Sequence, residues 1–164
     1  MNANDFIMSM LDDIQFAYWQ KRIPEKKTFD TINLSDKLFD KLVSPGNLTV
    51  LDGKYNCVSE KWWDWILEEF YGKRLKWNEE WDCDKFAIEL KSFCNKLGVN
   101  SCGITLGWYT YPDGSKMYHA YNCYVNDKLE VFLIEPQQGI RQKVESKGMI
   151  EIGTGKYETS IIIL

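Results

Sequence analysis

Apolar and polar residues change rhythm about two thirds of the way along the chain. Phe6, Ile7, Met10, Leu11, Ile14 and Ala17 return at helical spacing and predict a helix over residues 4–20, with Asn4 placed to cap it. A polar connector, "KRIPEKKTFD", follows. "NLSDKLFDKLVSPG" then predicts a shorter helix, capped by Ser35 and stopped at Pro45-Gly46, and "NLTVLDG" a short strand. In "EKWWDWILEEFYG" the residues Trp62, Trp63, Ile66, Leu67 and Phe70 share one helical face. A fourth helical stripe, Phe86, Ala87, Leu90, Phe93, Cys94 and Leu97, runs through "CDKFAIELKSFCNKLG" and ends at Gly98. Beyond it the period shortens. "CGITLGWYTY", "MYHAYNCYV", "KLEVFLIE" and "YETSIIIL" are β-rich runs separated by turn residues, and "GIRQKVESKGMIEIG" adds short strands. Helices first and strands afterwards give an α+β expectation: N-terminal helices followed by an antiparallel sheet. The expected organisation is one domain over 1–164, with 1–58 a helical N-terminal extension and 59–164 the functional core.

Composition narrows the function classes. Of 164 residues, 45% are hydrophobic and 27% charged, which suits a globular chain, and the net charge is −4. No basic block interleaved with aromatics occurs, so no nucleic-acid partner is expected. The opening stretch lacks a basic region followed by an apolar run, and no run approaches the ~20 apolar residues of a membrane span. A soluble, cytoplasmic protein without a membrane partner is the expectation. The five cysteines include no C-x-x-C pair, which argues against a zinc or dithiol redox site and leaves most of them as buried thiols. A site of Cys83, Asp84 and His119 is a poor zinc set with one histidine, so neither metal nor cofactor is expected. Aromatic residues at 15%, with seven tryptophans, imply an aromatic core or an aromatic-lined cleft.

The candidate chemistry centres on Cys83, at the start of the fourth helix. A thiol reacts as thiolate, and a helix N-terminus or a neighbouring imidazolium favours that form. Asp82 and Asp84 flank it and are expected to cap backbone N–H groups rather than oppose the charge. The imidazole must come from His119, the chain's one histidine. With Asn126-Asp127-Lys128 as a three-residue hairpin loop, Val125 faces Leu129 and His119 faces Glu135. His119, Tyr121, Cys123, Val125, Val131, Leu133 and Glu135 then share one sheet face. On a face otherwise apolar, a histidine opposite a glutamate is best explained as a hydrogen-bonded pair in which the acid orients the ring.

These residues carry a family resemblance. "WDCDKFA" resembles the nucleophile motif of transglutaminase-like cysteine peptidases, with "HAYN" similar to their histidine strand and "EPQ" to their acid-Pro-polar turn. The order Cys, His, acid agrees, over about residues 60–137. Trp81 stands where that motif commonly has glycine, and Glu135 where it has aspartate. The resemblance implies a transglutaminase-like or papain-like core with the cysteine at a helix N-terminus. It also implies Cys83 as nucleophile, His119 as general base and acid, and Glu135 as orienting carboxylate. The implied activity is thiol-dependent acyl transfer on an amide bond of a protein or peptide, as in a thiol protease, amidase or transglutaminase-like enzyme. Oxyanion and substrate contacts would fall to the Cys83 N–H and to Trp77, Asn78, Trp81 and Gln137. The alternative from another class is a catalytically silent module of the same fold. Its groove for peptide or carbohydrate would be lined from Trp62, Trp63, Trp65, Trp77, Trp81 and Trp108.

Overall fold

A computed structural model describes residues 14–15, 17–21, 23, 25–43, 47–72 and 82–164. The chain runs β1 (Lys27–Asp30), α1 (Thr31–Lys41), β2 (Leu48–Thr49), β3 (Lys54–Cys57), α2 (Glu60–Gly72) and α3 (Cys83–Lys96). Then follow β4 (Cys102–Thr110), β5 (Lys116–Val125), β6 (Val131–Glu135), β7 (Ile140–Lys143), β8 (Ile150–Ile152) and β9 (Gly155–Ile163). Residues 14, 15 and 17–21 are also helical, so the helix expected over 4–20 lies largely outside the described residues.

The expected fold class needs correction. Strands outnumber helices among the described residues, and three of them precede residue 58. The described residues before 58 therefore hold strands as well as helix. β1 pairs antiparallel with β3, and β2 pairs parallel with β9, so the first third of the chain is tied into the last. The main sheet has the order β2-β9-β4-β5-β6-β7, with β8 on β9; the C-terminal strand inserts between β2 and β4 instead of extending a sequential meander. Tyr55 and Cys57 explain why β3 was not visible from pattern alone: only two of its four residues reach the core, too few to define a period. The helix expected to be capped by Ser35 begins five residues earlier, after Asp30, where the chain leaves β1.

The sheet separates two apolar cores. On one face Cys102, Tyr124, Phe132 and Ile134 pack against Trp63, Ile66 and Phe70 of α2 and Leu90, Phe93 and Cys94 of α3. On the other, Tyr121, Cys123, Val125, Val131, Leu133 and Tyr157 pack against Leu34 and Leu38 of α1 and against Tyr55. The alternation along β5 and β6 is clean, so each face is fixed by its register. Asn122, fully buried, fastens α3 to the sheet by donating from Nδ2 to the carbonyls of Ala87 (2.8 Å) and Gly103 (3.1 Å). Ala87 is one turn beyond Cys83, so this bond sets where the thiol stands.

Candidate thiol site

The β5–β6 register differs from the expected one by two residues. Val125 pairs with Val131 and Cys123 with Leu133, so the loop is Asn126–Glu130 rather than three residues. Asn126 explains the longer loop: its Oδ1 accepts from the N–H groups of Lys128 and Glu130, both at 2.9 Å, and Leu129 adopts a φ of 59°. Glu135 therefore aligns with Tyr121, and His119 lies two positions further along β5. A shift of two keeps every side chain on its face, and diagonal neighbours remain within reach of long side chains. His119 Nε2 and Glu135 Oε2 are 2.8 Å apart, with side chains 12% and 4% exposed. The other carboxylate oxygen accepts from the Gln137 backbone N–H at 2.9 Å.

Gly107 stands opposite His119 on β4. A Cβ there would meet the Glu158 carbonyl oxygen at 2.1 Å, because β4 bulges against β9 between Leu106 and Gly107. The close strand approach requires glycine, and the β4 position directly opposite His119 therefore carries no side chain.

Cys83 opens α3 and is half-buried. The β5–β6 ladder stops at Asn122, so beyond it β5 stays paired with β4 but has no partner on its β6 edge, where the thiol arrives. The Cys83 pKa lies below the ordinary thiol value. The His119 imidazole is the main cause, opposed by burial and reinforced by the Ala120 backbone N–H. Burial alone would lower the His119 pKa. Hydrogen bonding to Cys83 and to Glu135 outweighs it and raises the ring to about 9. His119 Nδ1 is buried without a hydrogen-bond partner of normal geometry. Nε2 is taken by Glu135, so Nδ1 is the nitrogen left for the sulfur, in a contact that influences the thiol without being aligned. Asp82 precedes the helix without a side-chain capping bond. Its carboxyl pairs with that of Asp84, which lowers the Asp82 pKa and raises that of Asp84. The expected capping role is not realised by Asp82.

A groove of about 440 Å³ opens beside these groups, lined by Asp82, Cys83, His119 and Glu135 together with Tyr109, Tyr111 and Tyr121. Gln137 also lines it and buries Nε2 without a partner. Trp77, Asn78 and Trp81 lie outside the described residues. The described tryptophans do not build the groove: Trp63 is fully buried, Trp62 and Trp65 pack half-buried on the α2 core, and Trp108 stacks edge-on with Tyr118. Its aromatic wall is tyrosine, which the sequence reading missed; alternation along "GWYTY" and "YHAY" was the available signal. The other thiols are buried. Burial pushes Cys57 up to about 12 and raises Cys94 and Cys123 as well. Among the described residues no group of three or more His, Cys, Asp or Glu could hold a metal ion, and no helix is long and apolar enough to cross a membrane.

No family model and no curated protein matches the chain. Two solved structures are similar in fold. A PSL1a–E64 complex aligns with a TM-score of 0.61 and 21% identity, over 84% of this chain and 50% of that one. A Polyporus squamosus lectin bound to a human-type influenza-binding epitope, Neu5Aca2-6Galb1-4GlcNAc, aligns with a TM-score of 0.55 and 20% identity, over 84% of this chain and 49% of that one. The chain thus spans about half the length of these structures. At such identities the likeness is one of fold. It corrects the expected membership: one neighbour is named as a lectin and neither as a transglutaminase-like cysteine peptidase, so the hydrolase and thiol protease class loses the family through which it was inferred. Short motifs in the right order were too little sequence to specify a family.

Proposed function

We propose that the groove at the α3 N-terminus is a ligand site built around a nucleophilic thiol, and that its chemistry is acyl transfer from an amide. The observation carrying this reading is the buried 2.8 Å His119–Glu135 pair beside a thiol of lowered pKa. In the step envisaged, the Cys83 sulfur adds to the amide carbonyl and the π electrons move to oxygen. Collapse of the adduct expels the amine, which takes the imidazolium proton, and leaves a thioester. Water or a second amine then attacks the thioester, gives a proton to His119 and releases the sulfur. Glu135 holds the ring and stabilises its charged form throughout. The buried, unpartnered Gln137 Nε2 and the Cys83 N–H are the donors on hand for the oxyanion. The test is alkylation of the native protein by iodoacetamide at mildly acidic pH, read by peptide mass mapping. Cys83 labels first and fast; uniform slow labelling would rule the thiol chemistry out.

A second reading keeps the groove and drops the covalent step: a module that binds carbohydrate or peptide between Tyr109, Tyr111 and Tyr121. The likeness to a lectin fold favours it, and on the comparisons alone it stands ahead of the enzyme reading. Calorimetric titration of the Cys83→Ala chain with the trisaccharide Neu5Aca2-6Galb1-4GlcNAc tests it. Saturable binding lost on Tyr109→Ala supports this reading, and no heat at any ligand excess removes the sugar arm.

A further inference from the structure

A second cavity adjoins the groove. It measures about 530 Å³ and lies between the β4–β5 turn and the β8–β9 turn, lined by Thr110, Pro112, Gly114, Glu151 and Lys156. Tyr111 and Thr154 line both cavities, so the two compartments abut at these residues. Each is the size of a small-molecule site in its own right, and the thiol stands at one end only. A ligand that reacted as a single small amide would leave the second compartment unused.

The walls of that compartment differ from those of the first. Tyr111 and Pro112 are exposed and supply apolar lining, and Glu151 and Lys156 add one anion and one cation, opposite each other on the β8–β9 ladder. Lys156 Nζ and Glu151 Oε1 are 3.6 Å apart, and both side chains are more than half exposed, so the pair is loose and open to exchange for a ligand's own charges. A main chain lying across Tyr111, with a polar or charged side chain beside the ion pair, fits this surface.

We infer that the two abutting compartments form a trough that takes an extended polypeptide segment: the amide attacked by Cys83 sits in the first compartment, and a residue two or more positions away is selected in the second by Tyr111, Thr154, Glu151 and Lys156. This deepens the proposed thiol chemistry and rests on it.

The test uses tetrapeptide chloromethyl ketones bearing an acidic or a basic residue at each position in turn, with iodoacetamide as the short reference. In both reactions the thiolate sulfur bonds to the methylene carbon and halide leaves with the bonding electrons. The measured quantity is the ratio of the tetrapeptide rate to the iodoacetamide rate at Cys83, which cancels changes in the thiol itself. Thr154 is exposed in a turn, so Thr154→Trp fills the trough without burying new bulk in the core; it lowers the ratio by about tenfold or more, the size of a sterically blocked subsite. Lys156→Glu turns the preference at one position from acidic toward basic side chains. A ratio and a preference unmoved by both variants would overturn the inference. A separate arm measures binding of an unreactive, fluorescently tagged tetrapeptide to Cys83→Ala by anisotropy. Binding weakened by Thr154→Trp, in a chain whose Cys83 proves inert, keeps the trough and removes the acyl-transfer reading. If the trisaccharide responds to Thr154→Trp and the peptide does not, the polypeptide assignment is overturned.

Discussion

Removing the Glu135 carboxylate tests the centre of the site most directly. It is 4% exposed, accepts from His119 Nε2 at 2.8 Å and from the Gln137 N–H at 2.9 Å. Glu135→Ala deprives both donors of their acceptor, and each buried group left unpaired costs roughly 1–3 kcal/mol. Gln137 reaches the groove, where water can replace part of its loss, so the sum falls at roughly 2–4 kcal/mol. In a chain of this length that lowers Tm by on the order of 10 °C. Glu135→Gln keeps an acceptor oxygen and loses only the charge, so it costs less, roughly 1 kcal/mol. The pH dependence separates the two effects. The His119 pKa is raised from 6.5 to about 9, so the stability gained from its charged form is fully present below 6.5 and is lost as the pH rises through about 9. The gap in Tm between the parent and Glu135→Gln is therefore widest at mildly acidic pH and closes above about 9. Iodoacetamide labelling follows the same logic: without the carboxylate the imidazolium is less favoured, and Cys83 labels more slowly at mildly acidic pH. Calorimetric melts and labelling rates across this range decide it. An alanine variant that melts and labels like the parent at every pH would refute the pairing argument.

Three further outcomes follow from the same geometry. Cys83→Ala removes a half-buried thiol at a helix start and leaves His119 its bond to Glu135, so stability changes by roughly 1 kcal/mol or less while fast labelling disappears. Native thiol titration finds one reactive group, and denaturant releases all five; Cys94 reacting ahead of Cys83 would contradict the burial assigned to it. Gly107→Ala drives a Cβ to 2.1 Å from the Glu158 carbonyl, so β4 and β9 must separate, at roughly the 1–3 kcal/mol of an overpacked site. A melt unchanged from the parent would mean that the bulge absorbs the methyl group.

The sequence by itself determined which residues share a face. Alternation along β5 and β6 has a period of two, so His119 and Glu135 fall on one side of the sheet whether the loop holds three residues or five. That invariance is why the pair was legible although the register was not: the turn built by the Asn126 side chain is a local choice that composition does not announce. The helical stripe of α3 likewise fixed its buried face and put Cys83 at its start. Tertiary structure decided the rest. β1, β2 and β3 are short and largely outside the core, and only pairing with partners distant in sequence makes them strands, so an apparent helical extension supplies a two-stranded sheet of its own and one edge strand of the main sheet. The tyrosine wall and the trough beyond it assemble from the β4–β5 and β8–β9 turns, some forty residues apart. Trp63 went to the core because the helix face it shares with Ile66 and Phe70 buries its apolar area against the sheet. Family membership was decided by neither pattern nor register, since a short motif constrains a turn and a pair of side chains, and the course of the whole chain is a separate matter.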